Sequence, residues 1–328
     1  MKMHKKAKIV VTTKVFNETL EFLSRYCEVN SNQTERPLSR SELLKRCGDA
    51  EGVIVFMPDH IDSDFIKQCK NLRVISGALR GADNIDSSFC SNNGIAFAII
   101  PNLLAQPTAE LAVGLMINLS RNMLSGDNYA RSTEFKGWSP RFYGSGLCGK
   151  SLGILGMGQL GKALVKLVHG FECEISYFDK MDIDSSFQVY SELKKKGLDE
   201  VLSCSDFVVN MLPLTNDTHH LINADKLRLF KQGSFLINVG RGSTVCEQAV
   251  ASALLNNKLS GYAADVFEFE DWALTHKPSS IESGLLNSAL NTFFTPHIGS
   301  AVTQARKEIE MSAAKNLLSL LGICHSKS

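Results

Sequence analysis

Apolar and polar positions along the first hundred residues follow two rhythms. Short β-branched or apolar runs, KIVVT (8–12), GVIVFM (52–57), LRVIS (72–76) and IAFAII (95–100), predict strands. The segments ETLEFLSRYC, SRSELLKRCGDA and DSDFIKQC lie between them and predict amphipathic helices, with Ser39 and Asp62 as N-caps. A longer helical pattern runs over 108–131 behind Pro107, followed by a Gly-, Pro- and aromatic-rich stretch, 134–150, that predicts a long loop. A second series of strands is then predicted at 151–156, 174–179, 206–212, 234–239, 262–267 and 291–295, and residues 300–322 form an amphipathic helix. Strand–helix alternation implies parallel sheets covered by helices, an α/β fold. A second series nested inside the first suggests an inserted domain.

A chain of 328 residues is long enough for two domains. The formal charge of +1 gives no global electrostatic reason to expect nucleic acid or a membrane as partner. Nine scattered cysteines with no C-x-x-C pair argue against a disulfide framework and against a zinc site; no metal is expected. They fit a reducing compartment. The basic N-terminus carries an apolar run of only Ile9 to Val11, too short for a signal peptide, and no stretch approaches a membrane span. The chain reads as cytoplasmic.

Residues 153–161 read GILGMGQLG. Gly156, Gly158 and Gly161 form G-x-G-x-x-G directly after a predicted strand and at the start of a helix. There glycines give a tight turn, close backbone approach to a pyrophosphate and tight helix–strand packing. Asp179 ends the next strand, where an acid accepts hydrogen bonds from ribose hydroxyls and repels a 2′-phosphate. That favours NAD over NADP, although Lys180 stands beside it.

Three more signals follow strands of the same series. NVGRGS (238–243) places Arg241 between glycines. YAADVFEFEDW (262–272) offers Asp265, then Glu268, Glu270 and Asp271. NTFFTPHIGS (291–300) ends a strand on Pro296 and His297. Carboxyl ends of strands line the ligand crevice of open parallel sheets, so all three are expected on the cofactor's side. Imidazole titrates near neutrality and suits proton transfer, and an acid partner fixes its tautomer. Taken singly, each has a plain structural reading: a surface Arg, an exposed helix start, a hydrogen-bonded His.

Together these motifs resemble the D-2-hydroxyacid dehydrogenase family over essentially the whole chain. The resemblance implies two Rossmann-like domains, with an NAD-binding domain at 105–295 inserted into a substrate-binding (catalytic) domain made of 1–104 and 296–328. It implies a catalytic trio of Arg241, which orients an anionic substrate, His297 as acid/base and Glu270 as its partner. Glu270 rather than Glu268 matches, because the family's acid lies five positions after the strand Asp. The resemblance assigns Asp265 to the nicotinamide carboxamide. It also places Gly156, Gly158, Gln159, Leu160, Gly161, Asp179, Pro213, Thr108 and Gly240 around NAD. It further implies a homodimer, and the apolar faces of 108–131 offer a subunit interface.

Several strings look most like the family's phosphite (phosphonate) dehydrogenases, which oxidise phosphite to phosphate. VFMPD supplies Met57, GALRGADNID supplies Leu79, Arg80 and Gly81, FKGWSPRFYGSGL supplies Trp138 and Tyr143, and HIGSAVTQARKEIE supplies Arg306. Arg80 stands where that branch usually has Lys, a fork in place of a point charge. Arg80, Arg241 and Arg306 would surround one small dianion with three cations. Phosphite is thus the first expected substrate. The alternatives are a 2-keto acid reductase acting on glyoxylate, hydroxypyruvate or pyruvate, and an NAD-sensing binding protein without turnover.

Overall fold

The computed structural model describes residues 5–183, 187, 193–272 and 274–323. Its contacts divide the chain into two compact units, Met1–Leu104 with Ala301–Ser328, and Ala105–Ser300. The second seam falls after Ser300, whereas the sequence reading set it after Thr295.

The first unit alternates β1 (Lys8–Val11), α1 (Asn17–Tyr26), β2 (Glu28–Ser31), α2 (Arg40–Cys47), β3 (Gly52–Val55), α3 (Ser63–Gln68), β4 (Val74–Gly77), α4 (Ser87–Asn92) and β5 (Ala96–Ala98). The strands pair in parallel in the order β2-β1-β3-β4-β5. Ser39 and Asp62 cap α2 and α3, accepting from Glu42 N at 3.3 Å and Phe65 N at 2.7 Å. Polar β2, with the sequence EVNS, carries no strand signal and was not predicted; the sheet's edge imposes the conformation.

The unit's other contribution comes from the end of the chain, a helix at Thr303–Leu320. Its Ile309, Ala313, Leu317 and Leu318 pack with Ile9, Val11, Leu23 and Ile54 in one core layer. Ser76 Oγ donates to Ala313 O at 2.8 Å, and the buried Glu310 accepts from Phe16 N at 2.9 Å, at the start of α1. Leu43, Phe65, Ile75 and Leu79 fill the layer on the opposite face.

The second unit begins with α5 (Ala105–Ser120) and α6 (Met123–Ala130). The single helix expected over 108–131 is therefore broken, because Asn122 takes a left-handed φ of 50°. Pro107 lies within the first turn of α5, where its missing N–H breaks no helical bond. Next come β6 (Ser151–Leu155), α7 (Gln159–Val168), β7 (Glu174–Phe178), β8 (Lys194–Lys195), α8 (Leu198–Cys204), β9 (Phe207–Asn210), α9 (Ala224–Leu229), β10 (Ser234–Asn238), α10 (Glu247–Leu255), β11 (Leu259–Ala264) and β12 (Thr292–Phe294); the chain's last helix is α11. The seven strands run parallel in the order β12-β11-β10-β9-β6-β7-β8. β6 and β9 adjoin at the centre, so the chain winds outward in both directions from a switch point. α5 and α7 cover one face, and α8, α9 and α10 the other.

Asp59 is a buried acid whose role is structural. It accepts from Thr12 Oγ1 and, at 2.7 Å, from Phe56 N, closing the turn after β3. Burial pushes its carboxyl up to about 6. The folded value exceeds the ordinary 3.8, so the stability contributed by the protonated group is full below pH 3.8 and is lost as pH rises through 6. A rise of that size is worth roughly 3 kcal/mol. Asp59→Asn should remove this pH dependence. Urea unfolding from pH 4 to 7 should show the variant gaining on the parent as pH rises; parallel curves would mean the carboxyl is already ionised at pH 4.

Candidate active site

Every predicted site residue of the second unit that follows a strand does so at the carboxyl end of its sheet. β6 ends at Leu155 and Gly156 turns the chain at φ 97°, a conformation that side chains resist. A Cβ on Gly161 would stand 2.4 Å from Gly156 O, so only hydrogen allows α7 to pack against the turn. Gly158 is the N-cap of α7 and supplies no side-chain cap, which leaves the first N–H groups of the helix to an anion. Gln159 is exposed at that start. Leu160 is 2% exposed and belongs to the core, so only its backbone can face a ligand.

Asp179 follows β7 directly. Its Oδ2 accepts from Met157 N at 2.7 Å and its Oδ1 from Met181 N at 2.9 Å. The carboxylate therefore holds the glycine turn and keeps lone pairs for ribose hydroxyls. Lys180, whose charge blurred the NAD preference, pairs with Asp217 at 2.6 Å. Pro213 lies beyond β9 and Thr108 in the first turn of α5. Gly240 is bare for a reason: a Cβ there would stand 2.6 Å from Leu212 O. A glycine cradle that a methyl would fill, a helix start without a side-chain cap and an acid after the second strand fit a bound dinucleotide.

The strand β12 leads into the turn that bears Pro296 and His297. His297 takes φ 54°, a strained value for a residue with a side chain. Asp265, one residue beyond β11 and 2% exposed, holds this turn in place. Its Oδ1 accepts from Thr295 Oγ1 at 2.6 Å and Ile298 N at 2.8 Å, and its Oδ2 from Gly299 N at 2.8 Å. Burial raises its carboxyl above the ordinary range despite these donors. Both oxygens are committed to the chain, so the structure gives Asp265 a positioning job that the expected contact with nicotinamide did not include. With the turn fixed, His297 Nδ1 meets Glu270 Oε2 at 2.6 Å. The two side chains are 28% and 20% exposed, so the pair is partly shielded but open to a ligand.

Arg241 follows β10, half-buried, with its Nη1 donating to Gly240 O at 3.0 Å. Beneath it lies a buried polar network. Asn210 Nδ2 donates to Asn238 Oδ1 at 2.9 Å and Thr244 Oγ1 at 2.6 Å; Asn238 Nδ2 and Thr244 Oγ1 donate to Arg241 O at 3.1 and 2.6 Å. Gly242 joins this loop to the one bearing Glu270. A Cβ there would stand 1.9 Å from the carbonyl carbon of Phe267, and Ser243 N donates to Asp271 Oδ2 at 2.6 Å. Sequence reasoning missed the supporting Asn210, Asn238, Thr244 and Gly242. The second glycine of NVGRGS was the available signal.

The remaining expected contacts fall differently. Leu79 is 1% exposed and its O accepts from Ile100 N at 2.7 Å, so it is core. Met57 packs at the edge of the same core layer, while Arg80 and Gly81 are half-buried in the turn after β4. Arg306 is neither solvated nor an uncompensated cation. Its side chain is largely buried over the Phe56 ring, 5.5 Å from the centroid, and pairs with Glu310 at 3.6 Å. Trp138 and Tyr143 are 87% and 79% exposed, so this chain does not seat them in a pocket of its own.

A glycine-turn dinucleotide fold carrying a His–Glu pair at its sheet's carboxyl edge defines the class of nicotinamide-dependent oxidoreductases. The description "D-isomer specific 2-hydroxyacid dehydrogenase, NAD binding domain" matches residues 113–299. The chain is 33% identical to a glyoxylate reductase of Pyrococcus horikoshii over 320 residues, covering 95% of this chain and 92% of the relative. It is also 33% identical to a glyoxylate reductase of Thermofilum pendens, covering 96% and 91%. A solved glyoxylate reductase from Paecilomyes thermophila superposes with a TM-score of 0.83 at 26% identity, covering 96% and 95%. The chain belongs to the D-isomer specific 2-hydroxyacid dehydrogenase family and is an NAD-dependent oxidoreductase. The activities named for these three relatives are reductions of glyoxylate; they lend no support to the phosphite expectation and agree better with its 2-keto acid alternative.

Gly242→Ala should force the Arg241 and Glu270 loops apart, at a cost of about 1–3 kcal/mol from overpacking. Urea unfolding and steady-state assay should show lowered stability together with lost turnover. Unchanged turnover would show that the backbone contact does not set the active geometry.

Proposed function

We propose that the protein reduces small 2-keto acids, glyoxylate first among them, to 2-hydroxy acids with NADH. The observation that carries this reading is the His297–Glu270 pair at 2.6 Å, held at the sheet edge that also bears Arg241. Bound NADH supplies the hydride. His297 Nε2 gives a proton to the keto oxygen as it gains negative charge. Glu270, on Nδ1, keeps the ring in the required tautomer and stabilises its charged form. The Arg241 guanidinium pairs with the substrate carboxylate, for which its fork is matched. Chemistry balances as keto acid, NADH and one proton giving hydroxy acid and NAD.

The phosphite reading rests on the strings around Met57, Arg80, Trp138 and Arg306. It asks for three cations at a dianion, yet Glu310 offsets Arg306 within its own unit. A monoanionic keto acid needs less neutralisation, so it stands first. The NAD-sensor reading is weaker still, because a binding protein has no need of a partly buried acid–base pair.

Loss of NADH absorbance with glyoxylate, beside NADH formation from NAD with phosphite, tests the reading directly. Turnover is expected in the first cuvette. Turnover in the second alone would move the protein to phosphite, and none in either would favour the sensor. His297→Asn should cost roughly 10²–10⁴-fold in kcat, while Arg241→Gln should raise KM and lower kcat/KM by on the order of 10²-fold.

We further propose a homodimer built through the 123–143 region. Met123, Leu124, Phe135, Trp138 and Tyr143 are all more than 45% exposed there, more apolar surface than a lone chain ordinarily leaves in one segment. Light scattering should give twice the chain mass, and Trp138→Ser with Tyr143→Ser should weaken the association. A parent of single-chain mass at micromolar concentration would remove this proposal.

A further inference from the structure

His220, Cys246 and Glu268 are far apart in sequence, and the second unit brings them together. One nitrogen, one sulfur and one carboxylate oxygen, one from each, all lie within 4.8 Å of one another. Three separate constraints place them. His220 takes a left-handed φ of 47°, and its N donates to Ser243 O at 2.7 Å. The bridge Ile222↔Val245, continued by Cys246 N donating to Ile222 O at 3.0 Å, pins this segment beside the start of α10. Glu268 is locked by a reciprocal pair: its Oε1 accepts from Glu247 N at 2.8 Å and its N donates to Glu247 Oε1 at 2.9 Å. That leaves Oε2 facing His220 Nε2 at 2.8 Å. Cys246 is the N-cap residue of α10, yet its side chain makes no cap hydrogen bond.

We propose that these three side chains bind a divalent cation of the zinc class. One neutral imidazole, one thiolate and one carboxylate supply two negative charges to a doubly charged ion. Nitrogen, sulfur and oxygen donors together select zinc over calcium or magnesium, which take oxygen ligands. Donors at zinc distances in a tetrahedron stand roughly 3.3–3.7 Å apart, so Cys246 Sγ must draw in while His220 Nε2 and Glu268 Oε2, now 2.8 Å apart, open by about 0.5 Å. Rotation of the Cys246 side chain, which no cap hydrogen bond holds, and a small swing of the His220 ring supply this while Glu268 stays locked. The Glu247 N–H on Glu268 Oε1 is the outer-shell hydrogen bond that orients a ligating carboxylate. Water completes the fourth position. Glu268 opens the single turn that ends at Glu270, so the ion ties this turn to the start of α10 and the 219–222 segment. Short cysteine spacings do not reveal such a set, because His220 and Glu268 are 48 residues apart.

The test uses the full chain, stripped with chelator and desalted. Cobalt(II) is the probe, because a thiolate ligand gives it a sulfur-to-metal charge-transfer absorption. One equivalent of cobalt should produce this band, and zinc should displace it. Cys246→Ser should abolish the band, and His220→Gln should weaken binding by at least about tenfold. Cys148→Ser, at an exposed thiol away from the cluster, should leave both unchanged. Circular dichroism of each variant separates misfolding from ligand loss, and the conservative His220→Gln keeps the test valid if Cys246→Ser fails to fold. Absence of a stoichiometric band overturns the proposal. So does a band that persists in Cys246→Ser or disappears in Cys148→Ser.

Discussion

The buried carboxylate of Asp265 is the interaction on which the candidate site depends. It gathers one hydroxyl and two backbone N–H groups from Thr295, Ile298 and Gly299. Those three donors enclose His297 and hold it in a conformation that costs an ordinary residue about 1–3 kcal/mol. An exposed turn could relax out of that state. A turn tied to a desolvated acid cannot, because release would leave the acid unpaired, and an unpaired buried acid is costly. The strain at His297 is thus supported from the neighbouring strand β11.

The loops that face the same edge are matched by close backbone contact more than by side-chain packing. Gly240 against Leu212 and Gly242 against Phe267 each leave no room for a methyl group, and a Cβ on Gly156 would stand a tight 3.2 Å from Met211 O. These contacts set the spacing of the phosphate turn, the Arg241 loop and the Glu270 turn. Positions fixed this way tolerate little, since any added atom moves a loop rather than a flexible side chain.

Legibility in the sequence follows from how local each constraint is. The glycine turn and Asp179 could be read because both obey short spacings beside a strand. His297 could be read because Pro296 and a histidine end an apolar run. β2 could not be read: EVNS is polar, and only its neighbour β1 makes it a strand. The break at Asn122 was hidden because apolar periodicity continues across it. Arg306 was expected as a third cation at the anion, since nothing local shows that Phe56 and Glu310 enclose it. The strings 55–59 and 135–147 pointed to a phosphite branch, yet Leu79 and Arg306 have structural duties that lie outside those strings.

The first unit both opens and closes the chain. Its central sheet is complete by Ala98, yet the layer over one face needs Ile309, Ala313, Leu317 and Leu318. During synthesis that sheet leaves the ribosome early and waits, one face covered only in part by α1, while roughly two hundred further residues are made. Among the described residues, the second unit has its last strand end at Phe294 and takes nothing from α11 into its core layers. The unit that begins first is therefore finished last, and a nascent chain halted near residue 300 would carry a whole cofactor domain beside a half-built partner.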